Sequence, residues 1–158
     1  MTDSTASQAV VIERTFEAPA ELIWRLWTVP EEFKRWYGPT GANVPVAEIN
    51  LEVGGQRLVC MEMETPQGKM SMWTVGEHLE IVPNERLIYT EAPSDENGTP
   101  QEPRPGQPGK TKVIIELEER GDSTIMVLRH EGIPADSPGK MGWEQAFAKL
   151  EDFLNSLT

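Results

Sequence analysis

The sequence lacks the features that mark secreted and membrane-spanning proteins. It contains one cysteine, Cys60, in 158 residues, so no internal disulfide can form and a reducing compartment is favoured. No apolar run approaches the roughly 20 residues that a membrane-spanning helix needs. Residues 1–8 have neither the basic start nor the apolar centre of a signal peptide. These absences predict a cytoplasmic protein with a disordered stretch at residues 1–8.

Positive charge is also scarce. The chain has 14 Lys and Arg residues against 26 Asp and Glu residues, and its net charge is −12. Phosphate groups demand clustered Lys and Arg side chains, so a nucleic-acid partner is not expected. Anionic membrane surfaces are disfavoured for the same electrostatic reason. With 38% hydrophobic and 25% charged residues, residues 9–158 are predicted to form one globular domain.

Metal ligands and catalytic motifs are few. The chain has two histidines, His78 and His130, and no cysteine pair, so we expect neither a metal nor a cofactor. The spacing from His78 to Glu80 places both side chains on one face of a strand, but two groups do not complete a metal site. No motif for a nucleophilic serine is present. His130 is the candidate for proton transfer, because an imidazole titrates near neutral pH.

The hydrophobic pattern predicts an α+β fold with the element order βααββββββα. Residues 9–16 form an apolar, β-branched run that is typical of a strand. Helical spacing in EAPAELIWRLW predicts a first helix, and a capping box at Thr28 and Glu31 predicts a short second one. From residue 43 the pattern alternates with a period of two through six strands. Residues 94–110, rich in Pro and Gly, are predicted to be a long mobile loop, and PGKMGWEQAFAKLEDFLNSL a long amphipathic helix.

The alternation within the strands predicts an antiparallel sheet with its helices on one face. Met61 shares its predicted inward face with Arg57, and His130 lies on the inward face of the last strand. A buried Arg or His needs a partner. Each can form an internal contact with a carboxylate such as Glu48 or Glu80, or can orient the polar group of a ligand.

Bulky apolar side chains are concentrated in the segment WRLWTVPEEFKRWYGP, residues 24–39, and in the methionines of the central strands. Such side chains most often fill a core. Methionine is also frequent on adaptable binding surfaces, so the same residues can line a cavity. Composition and spacing leave both interpretations open.

Five segments of the chain resemble one known family. They are RTFEAPAELIWRLWTVPEEFKRWYGP, LEVGGQRLVCM, GEHLEIVPNERLIYTE, LRHEGIP and GWEQAFAKLEDFL. The family is the bacterial group similar to the C-terminal domain of the activator of the 90-kDa heat-shock protein ATPase, within the START-like (SRPBCC) superfamily. The resemblance covers about residues 9–157. It implies a helix-grip fold, in which a curved antiparallel sheet wraps around a long C-terminal helix and many members hold a mostly apolar cavity.

Two features of the chain depart from that family. Relatives often carry an aromatic residue at the position of Arg57, so a more polar cavity or an anionic ligand is expected here. The Pro-rich loop at residues 94–110 is longer than usual and could act as a lid.

The resemblance implies that a small hydrophobic or amphipathic molecule binds between the sheet and the C-terminal helix. A cyclase or hydratase for aromatic polyketide-like substrates, with His130 as the acid–base group, and a co-chaperone-like interaction module are the alternatives. A homodimer or another protein partner is compatible with each. The candidate ligand-binding residues are Trp24, Trp36, Arg57, Val59, Met61, Met63, Met72, His78, Tyr89, Ile115, Met126, Leu128, His130, Trp143 and Phe147.

Overall fold

A computed structural model describes residues 8–103, 109–135 and 137–157. The described residues form seven strands and three helices, in the predicted order. None of these helices is long and apolar enough to cross a membrane. The elements are β1 (Ala9–Phe16), α1 (Ala20–Thr28), α2 (Pro30–Phe33), β2 (Asn43–Ile49), β3 (Gln56–Thr65), β4 (Gly68–Val82), β5 (Arg86–Ser94), β6 (Thr111–Arg120), β7 (Ser123–Glu131) and α3 (Pro138–Ser156).

All seven strands belong to one antiparallel sheet with the order β1-β7-β6-β5-β4-β3-β2. Strands β2 to β7 follow one another as a meander, because each connection returns the chain beside the strand just completed. Strand β1 pairs with β7, so the two edge strands are β1 and β2, and α1 and α2 connect them. The curved sheet packs its apolar face against α3. The predicted α+β class and the helix-grip architecture are therefore confirmed.

The backbones of β4 and β5 approach each other closely at Gly76 and Thr90. A Cβ atom built on Gly76 would lie 1.7 Å from the carbonyl oxygen of Thr90, so no side chain fits at this position. The Thr90 hydroxyl also accepts a hydrogen bond from the backbone N–H of Glu77 at 3.0 Å. Glycine thus permits this close backbone approach.

A β-bulge follows Gly76 and changes the predicted faces of β4. His78 pairs with Tyr89, but Glu80 pairs with Ile88, and Leu79 is the extra residue between them. Tyr89 is buried and Ile88 is only half-buried. His78 and Glu80 therefore lie on opposite faces of the sheet. The prediction that both share one face was wrong, because a bulge reverses the alternation beyond it.

The capping box predicted at Thr28 and Glu31 does not form. The hydroxyl of Thr28 donates to the carbonyl of Trp24 at 2.9 Å, which satisfies the end of α1 instead of the start of α2. Val29 occupies the N-cap position of α2, without a side-chain hydrogen bond. The hydroxyl of a threonine in the last turn of one helix thus bonds to a carbonyl of that turn and is not available to cap the next helix.

The aromatic residues that follow the start of α1 form the centre of the core. Trp27 and Trp36 meet edge to face with ring centroids 4.8 Å apart. The indole N–H of Trp36 donates to the carbonyl of Leu26 at 2.8 Å, and that of Trp27 contacts the sulfur of Met126 at 3.3 Å. These rings also contact Phe147 of α3. Trp27 and Trp36 are therefore buried in the core.

Part of the predicted loop at residues 94–110 has a defined conformation. The carboxylate of Asp95 accepts hydrogen bonds from the N–H groups of Asn97 and Thr99 at 2.8 and 2.9 Å. The N–H of Gln101 donates to the carbonyl of Pro93 at 2.9 Å. Residues 104–108 lie outside the described residues, so the mobile lid stays a prediction.

Replacing Gly76 by alanine is expected to lower the free energy of unfolding by about 3 kcal/mol, because the added methyl group meets the Thr90 carbonyl. Urea denaturation followed by circular dichroism measures this change. The matched control is Gly142→Ala within α3, where a Cβ atom has no neighbour within 4 Å. That variant should be neutral or more stable by up to about 1 kcal/mol. Equal losses of stability at the two positions would contradict the close approach of Gly76 to Thr90.

Candidate ligand-binding site

Two neighbouring cavities lie at one end of the sheet, beside the N-terminal half of α3. The larger has a volume of about 180 Å³ and the smaller about 120 Å³. Glu91 and His130 line both of them. The larger cavity is also lined by Tyr37, Gly38, Pro39, Met61, Gly139, Gly142, Trp143 and Ala146, and the smaller by Met72, Thr74, Ala92, Pro93, Gly109 and Thr111.

The segment after α2 forms one wall of the larger cavity and is held in place by α3. The ammonium group of Lys149 donates to the carbonyls of Tyr37, Pro39 and Ala42 at 3.3, 3.2 and 3.5 Å. Burial lowers the pKa of Lys149. One side chain of the long helix thereby satisfies three backbone carbonyls of a segment that has no regular structure.

Gly38 sets the distance between this segment and β3. Its φ of 93° favours glycine, and a Cβ atom there would lie 2.9 Å from the sulfur of Met61. The side chain of Met61 therefore packs directly under the backbone of the wall. A larger residue at position 38 would both strain the backbone and push Met61 into the cavity.

His130 is held by hydrogen bonds on both ring nitrogens. The indole N–H of Trp143 donates to Nδ1 at 3.0 Å, so the proton of the neutral ring must lie on Nε2. That nitrogen donates to the hydroxyl of Thr111 at 2.9 Å, and the hydroxyl in turn donates to the backbone carbonyl of Glu91 at 3.3 Å. Burial lowers the pKa of His130, although the Glu91 carboxylate acts in the opposite direction.

The Glu91 carboxylate separates the two cavities. The hydroxyl of Tyr37 donates to Oε2 at 3.2 Å, and burial together with this carboxylate raises the pKa of Tyr37 well above its usual value. Oε1 lies 4.0 Å from Nε2 of His130, which is too long for a hydrogen bond. Glu91 therefore offers a carboxylate oxygen that can accept a hydrogen bond from a molecule in either cavity.

Arg57 lies in the closed part of the core rather than on these cavities. Its side chain stacks on Tyr89, with the guanidinium carbon 3.7 Å from the ring centroid. The expected contacts with Glu48 or Glu80 were wrong: Glu80 binds Arg86 at 3.3 Å, and Glu48 pairs along the backbone with Leu58 near the edge of the sheet. A strand bulge and the outward direction of both carboxylates account for the difference.

The structure brings four of the sequence-predicted ligand residues to the cavities: Met61, Met72, His130 and Trp143. Met63 is half-buried and lines neither of the two. The others are buried in the surrounding core, and their roles in binding stay predictions. They are Trp24, Trp36, Arg57, Val59, His78, Tyr89, Ile115, Met126, Leu128 and Phe147.

The prediction missed Tyr37, Glu91 and Thr111, which carry most of the polar contacts of the site. Glu91 follows Tyr89 by two residues, so the alternation of β5 could have placed it on the inward face. Thr111 precedes Val113 by two residues in the same way. Strand alternation could not predict the position of Tyr37, because that position depends on the contact with α3. Among the described residues, no cluster of His, Cys, Asp or Glu side chains could hold a metal ion.

The curved sheet, the long helix and the cavities between them define a START-like domain of the SRPBCC superfamily. The family model described as "Activator of Hsp90 ATPase homolog 1-like protein" matches residues 17–155. The chain belongs to this family. No curated protein sequence matches it.

Solved structures show the same fold over nearly the whole chain. A protein of Chromobacterium violaceum is 28% identical with a TM-score of 0.75, covering 92% of this chain and 96% of its own. A protein of Nitrosomonas europaea is 25% identical with a TM-score of 0.75, covering 99% of this chain and 100% of its own. A Silicibacter pomeroyi protein named after the same family is 17% identical, with a TM-score of 0.73, covering 95% of this chain and 99% of its own.

Replacing Trp143 by phenylalanine is expected to raise the pKa of His130. The indole N–H stabilises the neutral imidazole by donating to Nδ1, and the variant loses that bond while an aromatic ring remains. Titration of the ring protons by NMR measures the change. The chain has two histidines, so His78 serves as the internal control and should keep its pKa. A fall or no change at His130 would contradict the assigned hydrogen bond.

Neutral His130 is expected to contribute stability that is lost in acid. Its folded pKa is lowered, so the contribution is present above the unfolded pKa of about 6.5 and disappears as the pH falls through the folded value. The difference in the free energy of unfolding between wild type and His130→Gln should therefore shrink from about pH 7.5 to about pH 5. Denaturant titrations at each pH measure it, and a constant or growing difference would contradict the neutral state.

Proposed function

We propose that the protein binds a small apolar molecule that donates one hydrogen bond to Glu91. The observation that carries this proposal is the position of the carboxylate: Glu91 lines both cavities, and Oε1 has no hydrogen-bond partner among the described residues. Ligand sites are typically apolar pockets in which a few polar groups fix the orientation. The larger cavity, with one carboxylate among Tyr37, Met61 and Trp143, has this character.

The cavity volumes limit the size of the ligand. A cavity of about 150 Å³ is large enough for benzene, and the larger cavity has about 180 Å³. Pockets for drug-sized ligands start at about 300 Å³, which is more than either cavity offers alone. We therefore expect a single ring or a short branched chain in the larger cavity, with its donor group directed at Glu91.

The hydrogen bonds of His130 favour binding over catalysis. A general base needs a free lone pair within reach of the proton that it abstracts. In the neutral ring the lone pair is on Nδ1, where it accepts the Trp143 N–H, and the N–H on Nε2 is donated to Thr111. A cyclase or hydratase would have to break one of these contacts first. Association with a chaperone, which the family description suggests, would use the surface instead of the cavities.

The test uses phenol and benzylamine as donor-bearing probes and toluene as the probe without a donor. Ligand-observed NMR is expected to detect phenol and benzylamine on the wild type with millimolar affinity. Met61→Trp should abolish this binding, since the larger side chain fills the cavity. Glu91→Gln should weaken the donor-bearing probes about tenfold and leave toluene nearly unchanged, because the carboxylate is the stronger acceptor.

The matched control is Met63→Trp, two residues along the same strand and away from both cavities. This variant should bind the probes as the wild type does. Binding that survives Met61→Trp, or that does not distinguish phenol from toluene, would overturn the proposal. A turnover product from a polyketide-like substrate that disappears in His130→Ala would favour the enzyme instead.

A further inference from the structure

Arg57 is a buried positive charge whose Nη atoms have no hydrogen-bonding partner among the described residues. Its side chain lies on the inward face of β3 and is 3% exposed. Neither Nη1 nor Nη2 has a hydrogen-bond partner. No carboxylate oxygen of the described residues lies within 4.0 Å of its guanidinium group. Most buried polar groups are hydrogen-bonded, so this guanidinium group requires an explanation.

The aromatic neighbours of Arg57 compensate only part of its charge. The guanidinium carbon lies 3.7 Å from the ring centroid of Tyr89 and 5.2 Å from that of Phe33. A desolvated cation–π contact contributes about 2 kcal/mol, whereas the effective penalty for burying an ion is several kcal/mol. The rings lie against the guanidinium group but accept no hydrogen bond from the N–H groups at its edge. These N–H groups therefore still lack an acceptor.

Two further unpartnered groups lie close to this guanidinium. The hydroxyl of Tyr89 and Nε2 of His78 are also buried without a hydrogen bond. The ring centroids of His78 and Tyr89 are 6.4 Å apart. Burial, together with the charge of Arg57, lowers the pKa of His78. Burial raises the pKa of Tyr89, although the charge of Arg57 acts in the opposite direction. Since Nδ1 of His78 bonds the carbonyl of Gly55, its Nε2 carries the lone pair. The cluster therefore has more N–H and O–H donors than acceptors.

We propose that Arg57 and Tyr89 bind a carboxylate group, carried either by a small free acid or by the polar end of a longer one. A planar carboxylate matches the planar edge of a guanidinium group and can accept two parallel hydrogen bonds from it. The cluster has a single cation, so a monoanion fits its charge better than a phosphate does. The hydroxyl of Tyr89 supplies a further donor beside the guanidinium.

This site is separate from the cavities proposed above. Arg57 lines neither of them. Phe33 lies between, stacked on Tyr37 of the larger cavity with ring centroids 4.5 Å apart. Carboxylate binding at Arg57 and probe binding at Glu91 can therefore succeed or fail independently, and Met61→Trp should leave the carboxylate response unchanged.

The experiment measures thermal unfolding in a low-salt buffer with sodium acetate or sodium octanoate. Acetamide and octanamide control for shape without charge, and sodium chloride controls for ionic strength. At about ten times the dissociation constant, a bound carboxylate is expected to raise the Tm of the wild type by roughly 3 °C. A response to acetate identifies a free small acid as sufficient, and a response to octanoate alone identifies the end of a longer acid.

The variants decide whether Arg57 causes the shift. Arg57→Met should remove it, and Tyr89→Phe should reduce the affinity a few-fold. Arg120→Met, which removes a surface arginine paired with Glu118, should retain the full shift. Arg57→Lys keeps the charge but loses the two-pronged geometry, so a loss of about tenfold in affinity is expected even if Arg57→Met does not fold.

Three results would overturn the proposal. The first is a Tm that neither acid raises, which would leave water as the partner of the guanidinium group. The second is an equal response to the amides or to chloride, since neither requires a carboxylate. The third is a shift that persists at full size in Arg57→Met or Arg57→Lys.

Discussion

The close approach of two backbones at Gly76 and Thr90 divides the inner face of the sheet into a closed and an open part. On β4 and β5 the residues on one side of this close approach are fully buried, as His78 and Tyr89 show. On its other side, Met72 and Glu91 line the cavities, as does Met61, which pairs with Met72. Both cavities beside α3 therefore lie on the same side of it.

The open part is held by polar contacts in addition to the aromatic packing of Tyr37 and Trp143. Lys149 fixes the wall formed by residues 37–42, and Trp143 fixes the ring of His130. Glu91 receives the hydroxyl of Tyr37. Lys149 and Glu91 each join an element of the core to a segment with no regular structure, whereas Trp143 joins α3 to β7. Hydrogen bonds and aromatic packing therefore act together around the cavities.

The sequence predicted the fold well because strand and helix periodicities are local properties. The inward faces of β3 and β7 followed from alternation alone, and Met61 and His130 lie on the cavities, while their roles in binding stay predictions. The bulge at Leu79 could not be predicted, since an extra residue does not change the alternation of apolar residues in the sequence. The roles of Tyr37 and Glu91 depend on how the segment after α2 meets α3, and that contact joins residues more than a hundred positions apart. Whether a bulky side chain packs in the core or lines a cavity therefore depends on contacts between residues far apart in the sequence.

The pairing of the first strand with the last has a consequence for the order of folding. Strands β2 to β7 join neighbours in sequence through short turns or a single loop, so their contacts form at a small cost in loop entropy. Ala9 pairs with Glu131, and that contact closes a loop of nearly the whole chain. We expect β1 to dock after the meander has assembled, leaving the edge of β7 transiently unpaired in the nascent protein. Such an edge can pair with the β1 of a second molecule. The β1–β7 pairing that completes the monomer can therefore also form between two molecules and give a domain-swapped dimer.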